Sequence, residues 1–144
     1  MSFLATEIWK NRFFNGTWSE TTKTYNAVEV ATGHTLGTFG YASPNDVAVS
    51  AIQAKKAKAE WWALSYQERA DVFQNAIQVA IEHKVEIIDW LVKESGSILM
   101  KASFEVDLTI QILKNAFTLP SMDQGSILPA QNGKLSLAKR VPLG

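Results

Sequence analysis

The spacing of apolar residues changes twice along this chain, from alternation to a repeat of three and four and back to alternation. The front alternates. Arg12-Phe13-Phe14-Asn15-Gly16-Thr17-Trp18 sets an Asn-Gly pair between aromatic and β-prone residues, the strongest short-range signal for a hairpin. Residues 24–30 alternate as well, and Thr32-Gly33 turns the chain into Thr35-Leu36-Gly37-Thr38-Phe39. That predicts a second hairpin, in which Gly33 supplies the positive φ of the turn.

Helical spacing begins at Ser43. Ser43-Pro44-Asn45-Asp46 offers a capping hydroxyl, a proline at the first helical position and an acid at the third, predicting a helix over 44–61. Val47, Ala51, Ala54 and Lys58 would mark one side of it. Lys55, Lys56 and Lys58 read as a solvated face in the last turns, where cations suit the helix dipole, rather than as a polyanion site. Ser65-Tyr66-Gln67-Glu68 is a capping box, followed by the stripe Phe73, Ala76, Ile77, Ala80 and Ile81. Ile87, Ile88, Leu91 and Val92 continue on a further helix that stops at Gly96. A last helix is expected over 98–117, with Val106, Ile110, Leu113 and Phe117 on one stripe and Leu108 and Ile112 on another side. Two apolar faces on one helix imply cover on both. Pro120 ends it. Alternation then returns in Gly125-Ser126-Ile127-Leu128 and, past Asn132-Gly133, in residues 134–141, with Leu135 and Leu137 on one face.

Composition narrows the function classes. Hydrophobic residues make up 47% and charged residues 19% of the 144 positions, a globular balance. Lys+Arg and Asp+Glu both count 14, so no basic excess points to a nucleic-acid or anionic-membrane partner. Without cysteine there is no disulfide, thiolate metal site or thiol nucleophile. The first ten residues lack a signal-peptide pattern, and no apolar run approaches the ~20 residues of a membrane helix. A cytoplasmic protein is the expectation.

Catalytic motifs are missing one after another. No Gly-rich phosphate loop and no G-x-S-x-G elbow occurs. His34 and His83 fall on a turn and at a helix junction, without metal-ligand spacing, and are expected to be exposed polar residues. Glu105 and Asp107 are two apart on a helix and share no face.

The order of the local motifs is more telling than their chemistry. Phe14-Asn15-Gly16-Thr17-Trp18 resembles the opening of the aldehyde dehydrogenases, an aromatic or aliphatic residue before Asn-Gly-x-Trp. Val30-Ala31-Thr32-Gly33 resembles the family's Asn-Pro-Ala-Thr-Gly turn, with Ser43-Pro44-Asn45-Asp46-Val47 at the expected distance. Trp61 or Trp62 with residues 65–69 resembles its Trp, spacer and x-x-Glu-Arg helix start. Glu94-Ser95-Gly96-Ser97 is similar to Glu-Thr-Gly-Lys, and Gly125, Leu128-Pro129 and Arg140-Val141-Pro142-Leu143-Gly144 to the closing hairpin. Val30 in place of proline and Ser97 in place of lysine are departures. The aromatic-rich start resembles the benzaldehyde branch.

That resemblance implies an α+β fragment of an α/β enzyme: N-terminal β-hairpins, about four helices and a C-terminal β-hairpin, the N-terminal part of a Rossmann-like fold. Residues 1–121 would belong to the cofactor-binding domain and 122–144 to the oligomerisation hairpin, both truncated. The parent would use NAD or NADP to oxidise an aldehyde, aromatic by the benzaldehyde-branch resemblance, to a carboxylic acid. A thiolate would attack the aldehyde, hydride would pass to the cofactor, and a glutamate would assist hydrolysis. All those groups would lie outside residues 1–144, so this stretch would be inactive and bind no cofactor. Three roles carry over. Glu94 would help hold a monovalent cation with carbonyls near Ala27 and Val28, or merely satisfy a helix end or solvent. Leu108 and Ile112 would line the substrate tunnel, or belong to the core. Lys134, Leu135, Ser136, Leu137, Ala138, Lys139, Arg140 and Val141 would form the oligomerisation strand of a homo-oligomer. The alternative is a self-standing interaction module whose hairpin pairs with a partner sheet.

Overall fold

The computed structural model describes residue 2 and residues 4–143. Its first elements are a single-turn helix α1 (Thr6–Trp9) and two hairpins, β1 (Arg12–Phe14) with β2 (Trp18–Glu20) and β3 (Thr24–Val28) with β4 (Thr35–Gly40). Both ladders are antiparallel, with Phe14 opposite Trp18 and Tyr25 opposite Phe39. Gly16 and Gly33 take positive φ in the two turns, as their positions demand. Two-stranded hairpins are marginal alone, and these two lean on α1. Trp9, 4% exposed, stacks on Phe39 at 4.3 Å and meets Trp90 edge-on at 5.6 Å.

Helix α2 (Pro44–Ala63) starts on the Ser43–Asp46 capping box and runs two residues past the expected Trp61. It buries none of its residues. Val47, Ala51 and Ala54 are exposed and only Lys58 is half-buried, so the expected apolar side has no cover among the described residues. The lysines also stand before the final turn, which contains no basic residue, and the dipole argument for them fails.

Helix α3 (Tyr66–Glu82) uses the Ser65–Glu68 box, and α4 (Lys84–Ser95) ends on Gly96 in the left-handed region at φ +67°. Helix α5 (Leu99–Thr118) packs against both. Ile88, Ala102, Val106 and Ile110 form the centre, flanked by Ala80, Ile87, Leu91 and Val92. Burying Val106 or Ile110 contributes about 2 kcal/mol each. Pro120 stops α5 in a 3₁₀ turn (Leu119–Ser121). The last hairpin joins β5 (Gly125–Leu128) to β6 (Ser136–Lys139), with Ile127 opposite Leu137.

Three hydrogen bonds tie the N-terminal stretch and the second hairpin to α4. The Val30 amide donates to the Lys93 carbonyl at 3.0 Å, seating the end of β3 beside the end of α4. The Leu4 amide donates to Glu86 Oε1 at 2.9 Å, and the Ser2 hydroxyl donates to the same oxygen.

Candidate functional site

The surface around α2, α3 and the end of β6 holds a groove of about 780 Å³. Trp61, Trp62 and Phe73 supply aromatic walls, and Lys58, Arg69 and Arg140 supply positive charge. Trp61 and Phe73 meet edge-on at 6.3 Å, which closes α2 onto α3. The Trp62 ring has two cations within cation–π reach, the Arg69 guanidinium at 5.6 Å and the Lys139 ammonium at 5.5 Å. A second recess, of about 590 Å³, lies between α1, the first hairpin and α4. It is lined by Trp9, Phe14, Trp18, Phe39 and Trp90, with Glu94 as its one charged wall.

Leu108 and Ile112 lie on the face of α5 away from the helical core, 46% and 56% exposed. They are therefore not core within these residues. Glu94 is exposed and stands next to Lys93, the residue whose carbonyl holds the end of β3. Lys93 itself is paired with Asp89 at 2.6 Å, a bond that raises its pKa. Residues 134–141 are shorter as a strand than expected: the ladder covers Ser136, Leu137, Ala138 and Lys139. Lys134 is drawn into the turn, its amide bonded to the Gln131 carbonyl at 3.0 Å, and Leu135 lies just before the ladder. Beyond it, the Arg140 amide donates to the Gln124 carbonyl at 2.7 Å, and Val141 is exposed. Leu135 and Leu137 are 73% and 63% exposed.

His83 departs from expectation. It is half-buried at the α3–α4 junction, with Nδ1 3.3 Å from Glu86 Oε2. The sequence reading missed Glu86, two of whose partners, Ser2 and Leu4, lie some eighty residues upstream, and gave no role to Arg69. Arg69 could have been found: it sits four residues before Phe73, on the apolar stripe of α3.

Helix N-termini are the ordinary places for a pyrophosphate, and two of them are taken. The Asp46 amide donates to Ser43 Oγ and the Glu68 amide to Ser65 Oγ, both at 3.2 Å. The two carboxylates in turn accept hydrogen bonds from their serines, side chain and backbone amide, and these bonds hold both carboxyls below the usual pKa range. An ionised carboxylate at each terminus repels a phosphate. The N-termini of α2 and α3 therefore do not fit the phosphates of a dinucleotide. Among the described residues no group of three or more His, Cys, Asp or Glu could hold a metal ion, and no helix is long and apolar enough to cross a membrane.

With that geometry in view, comparison with known proteins decides the family. The sequence profile of the aldehyde dehydrogenase family matches residues 18–144. The chain belongs to this family. It is 46% identical to a vanillin dehydrogenase of Amycolatopsis sp. over 145 aligned positions, which take in all of this chain and 30% of that protein. It is 33% identical to a benzaldehyde dehydrogenase (NAD⁺) of Pseudomonas putida, over 95% of this chain and 28% of that one. Among solved structures, an NAD-dependent benzaldehyde dehydrogenase of Corynebacterium glutamicum superposes with a TM-score of 0.81 at 30% identity, over 92% of this chain and 29% of that chain. The chain thus spans about 30% of the length of the aldehyde dehydrogenases it matches.

Proposed function

We propose that this chain is the first part of an NAD(P)-dependent dehydrogenase that oxidises an aromatic aldehyde to the acid, and that residues 1–144 alone supply scaffold and no chemistry. The observation that carries the reading is the 46% identity to a vanillin dehydrogenase along the entire chain. The absence of cysteine supports the second half, because the thiolate chemistry that the family resemblance implies needs a thiol. The occupied N-termini of α2 and α3 support it too, since neither can cradle a cofactor phosphate.

The same reading gives the remaining residues their roles. Leu108 and Ile112 are a wall of the aldehyde tunnel, supported by an apolar face of α5 that no described residue buries. Glu94, at the end of α4 beside β3, helps hold a monovalent cation. Residues 134–141 pair with a second copy, supported by Leu137 and Ile127 standing exposed on an open two-stranded ladder. The protein works in the cytoplasm.

Two measurements test this. Reading the gene past the Gly144 codon should show an open frame entering a hydrophobic strand and Pro-x-Asn; a stop codon there overturns the reading in favour of a self-standing interaction module. The purified 144-residue chain, mixed with vanillin or benzaldehyde and NAD or NADP, should give no rise in reduced-nicotinamide absorbance. Turnover above a protein-free blank overturns the scaffold assignment.

A further inference from the structure

Arg69 is the one buried charged residue of the described chain, 8% exposed. Its backbone amide continues α3 by bonding to the Ser65 carbonyl, but its guanidinium has no carboxylate or carbonyl partner among the described residues. Trp62, 5.6 Å away, is its ring neighbour. Because no buried side-chain nitrogen is left without a hydrogen bond, the unbonded guanidinium nitrogens must still be reachable, and the groove it lines is the way in. A guanidinium so placed presents a planar fork matched to a carboxylate.

The rest of the groove says what carries that carboxylate. Lys58, Arg69 and Arg140 face a single acid, Asp123, and none of the three is ion-paired to it. Around this positive centre the walls are apolar and long, running from Trp61 to Leu119 and Pro142. A small acid would cover the centre and leave the ends bare. The aldehyde dehydrogenases this chain matches have about 70% of their length outside the matched stretch (100 less the 30% covered), which is ample polypeptide to fill it.

We propose that the groove seats an acidic polypeptide segment from outside residues 4–143, with one Asp or Glu carboxylate forked onto Arg69 and apolar neighbours laid over Trp61, Trp62 and Phe73. The proposal rests on family membership and not on which aldehyde is oxidised. The test uses the 144-residue chain, labelled, on an array of overlapping peptides from the part of the Amycolatopsis vanillin dehydrogenase outside the aligned stretch. Bound peptides should contain an Asp or Glu whose change to Asn or Gln weakens binding about tenfold or more. Arg69→Gln should lose the same peptides, and Arg69→Lys should keep part of the affinity. The peptide-side change reads the contact even if Arg69→Gln fails to fold. Binding indifferent to the acid, or no bound peptide, overturns the proposal. Trp quenching by free benzoate but by no peptide overturns it in favour of a small-acid site.

Discussion

Gly37→Ala measures how firmly Trp9 is held. A Cβ on Gly37 would stand 2.2 Å from Cη2 and 2.5 Å from Cζ3 of Trp9. Carbon pairs settle at about 3.5–4.0 Å, so the indole would have to retreat by at least about 1.3 Å. It has little room to do so. Phe39 is stacked on the ring at 4.3 Å, Trp90 meets it at 5.6 Å, and Nε1 donates to the Leu4 carbonyl at 3.1 Å. Retreat surrenders that hydrogen bond, about 1 kcal/mol, and much of the aromatic contact, about 0.5–1.5 kcal/mol. The stiffer unfolded chain of the alanine variant returns about 0.4–1 kcal/mol. The net loss is about 0.5–2 kcal/mol, reaching into the range of overpacked cores. At about 4 °C per kcal/mol for a chain of this size, Tm should fall by about 2–8 °C. Urea unfolding followed by tryptophan emission, with calorimetry beside it, gives both numbers. In a Trp9→Leu background the same change should cost far less, because the clashing ring is gone. Equal losses in the two backgrounds, or a loss below about 0.5 kcal/mol in the parent, would refute the reasoning.

Other changes probe other parts of the fold. Ile110→Ala, in the helical centre, should cost about 2–4 kcal/mol, whereas Ile112→Ala on the bare face of the same helix should stay within about 0.5 kcal/mol by urea titration. Ser65→Ala should cost about 1 kcal/mol and let the Glu68 carboxyl titrate nearer its ordinary range by NMR. Asp46 and Glu68 have lowered pKa values in the fold, so their contribution is complete above the unfolded carboxylate range and disappears as pH falls through the lowered values. Acid unfolding of a Ser43→Ala/Ser65→Ala chain should therefore show a weaker pH dependence in that window. Leu137→Lys should move the light-scattering mass toward the 16.0 kDa of one chain; an unchanged oligomer, or a parent already monomeric at high concentration, would remove β6 from assembly.

What could be read from the sequence was local. Ser43 with Asp46 and Ser65 with Glu68 announce two helix starts because the partners sit three residues apart, and Gly96 announces a stop by its own backbone. The stripes of α3, α4 and α5 were legible for the same reason, the second stripe of α5 with Leu108 and Ile112 among them. Periodicity fails where the partner is missing. Val47, Ala51 and Ala54 repeat like a core face, yet the spacing of a helix does not say what covers it. Helix α1 is a single turn, too short for any repeat to register. In the last hairpin, Leu135 alternates with Leu137, but the turn around Gly133 claims Lys134 and shortens the ladder. The candidate groove was hidden because Arg140 comes from the far end of the chain and only the fold brings it to Trp62 and Arg69.

The attachment of the chain's first residues to Glu86 also imposes a timetable. During synthesis both N-terminal hairpins can zip once about forty residues have left the ribosome, but their lid cannot close. Trp9 waits for Trp90, and the Leu4 amide waits for a carboxylate eighty-two positions later. Until α4 emerges, a tryptophan that ends 4% exposed lacks its edge-on partner and has Phe39 as its one aromatic neighbour. The most N-terminal part of this chain thus cannot be finished before α4, and until then the nascent chain carries an open aromatic surface.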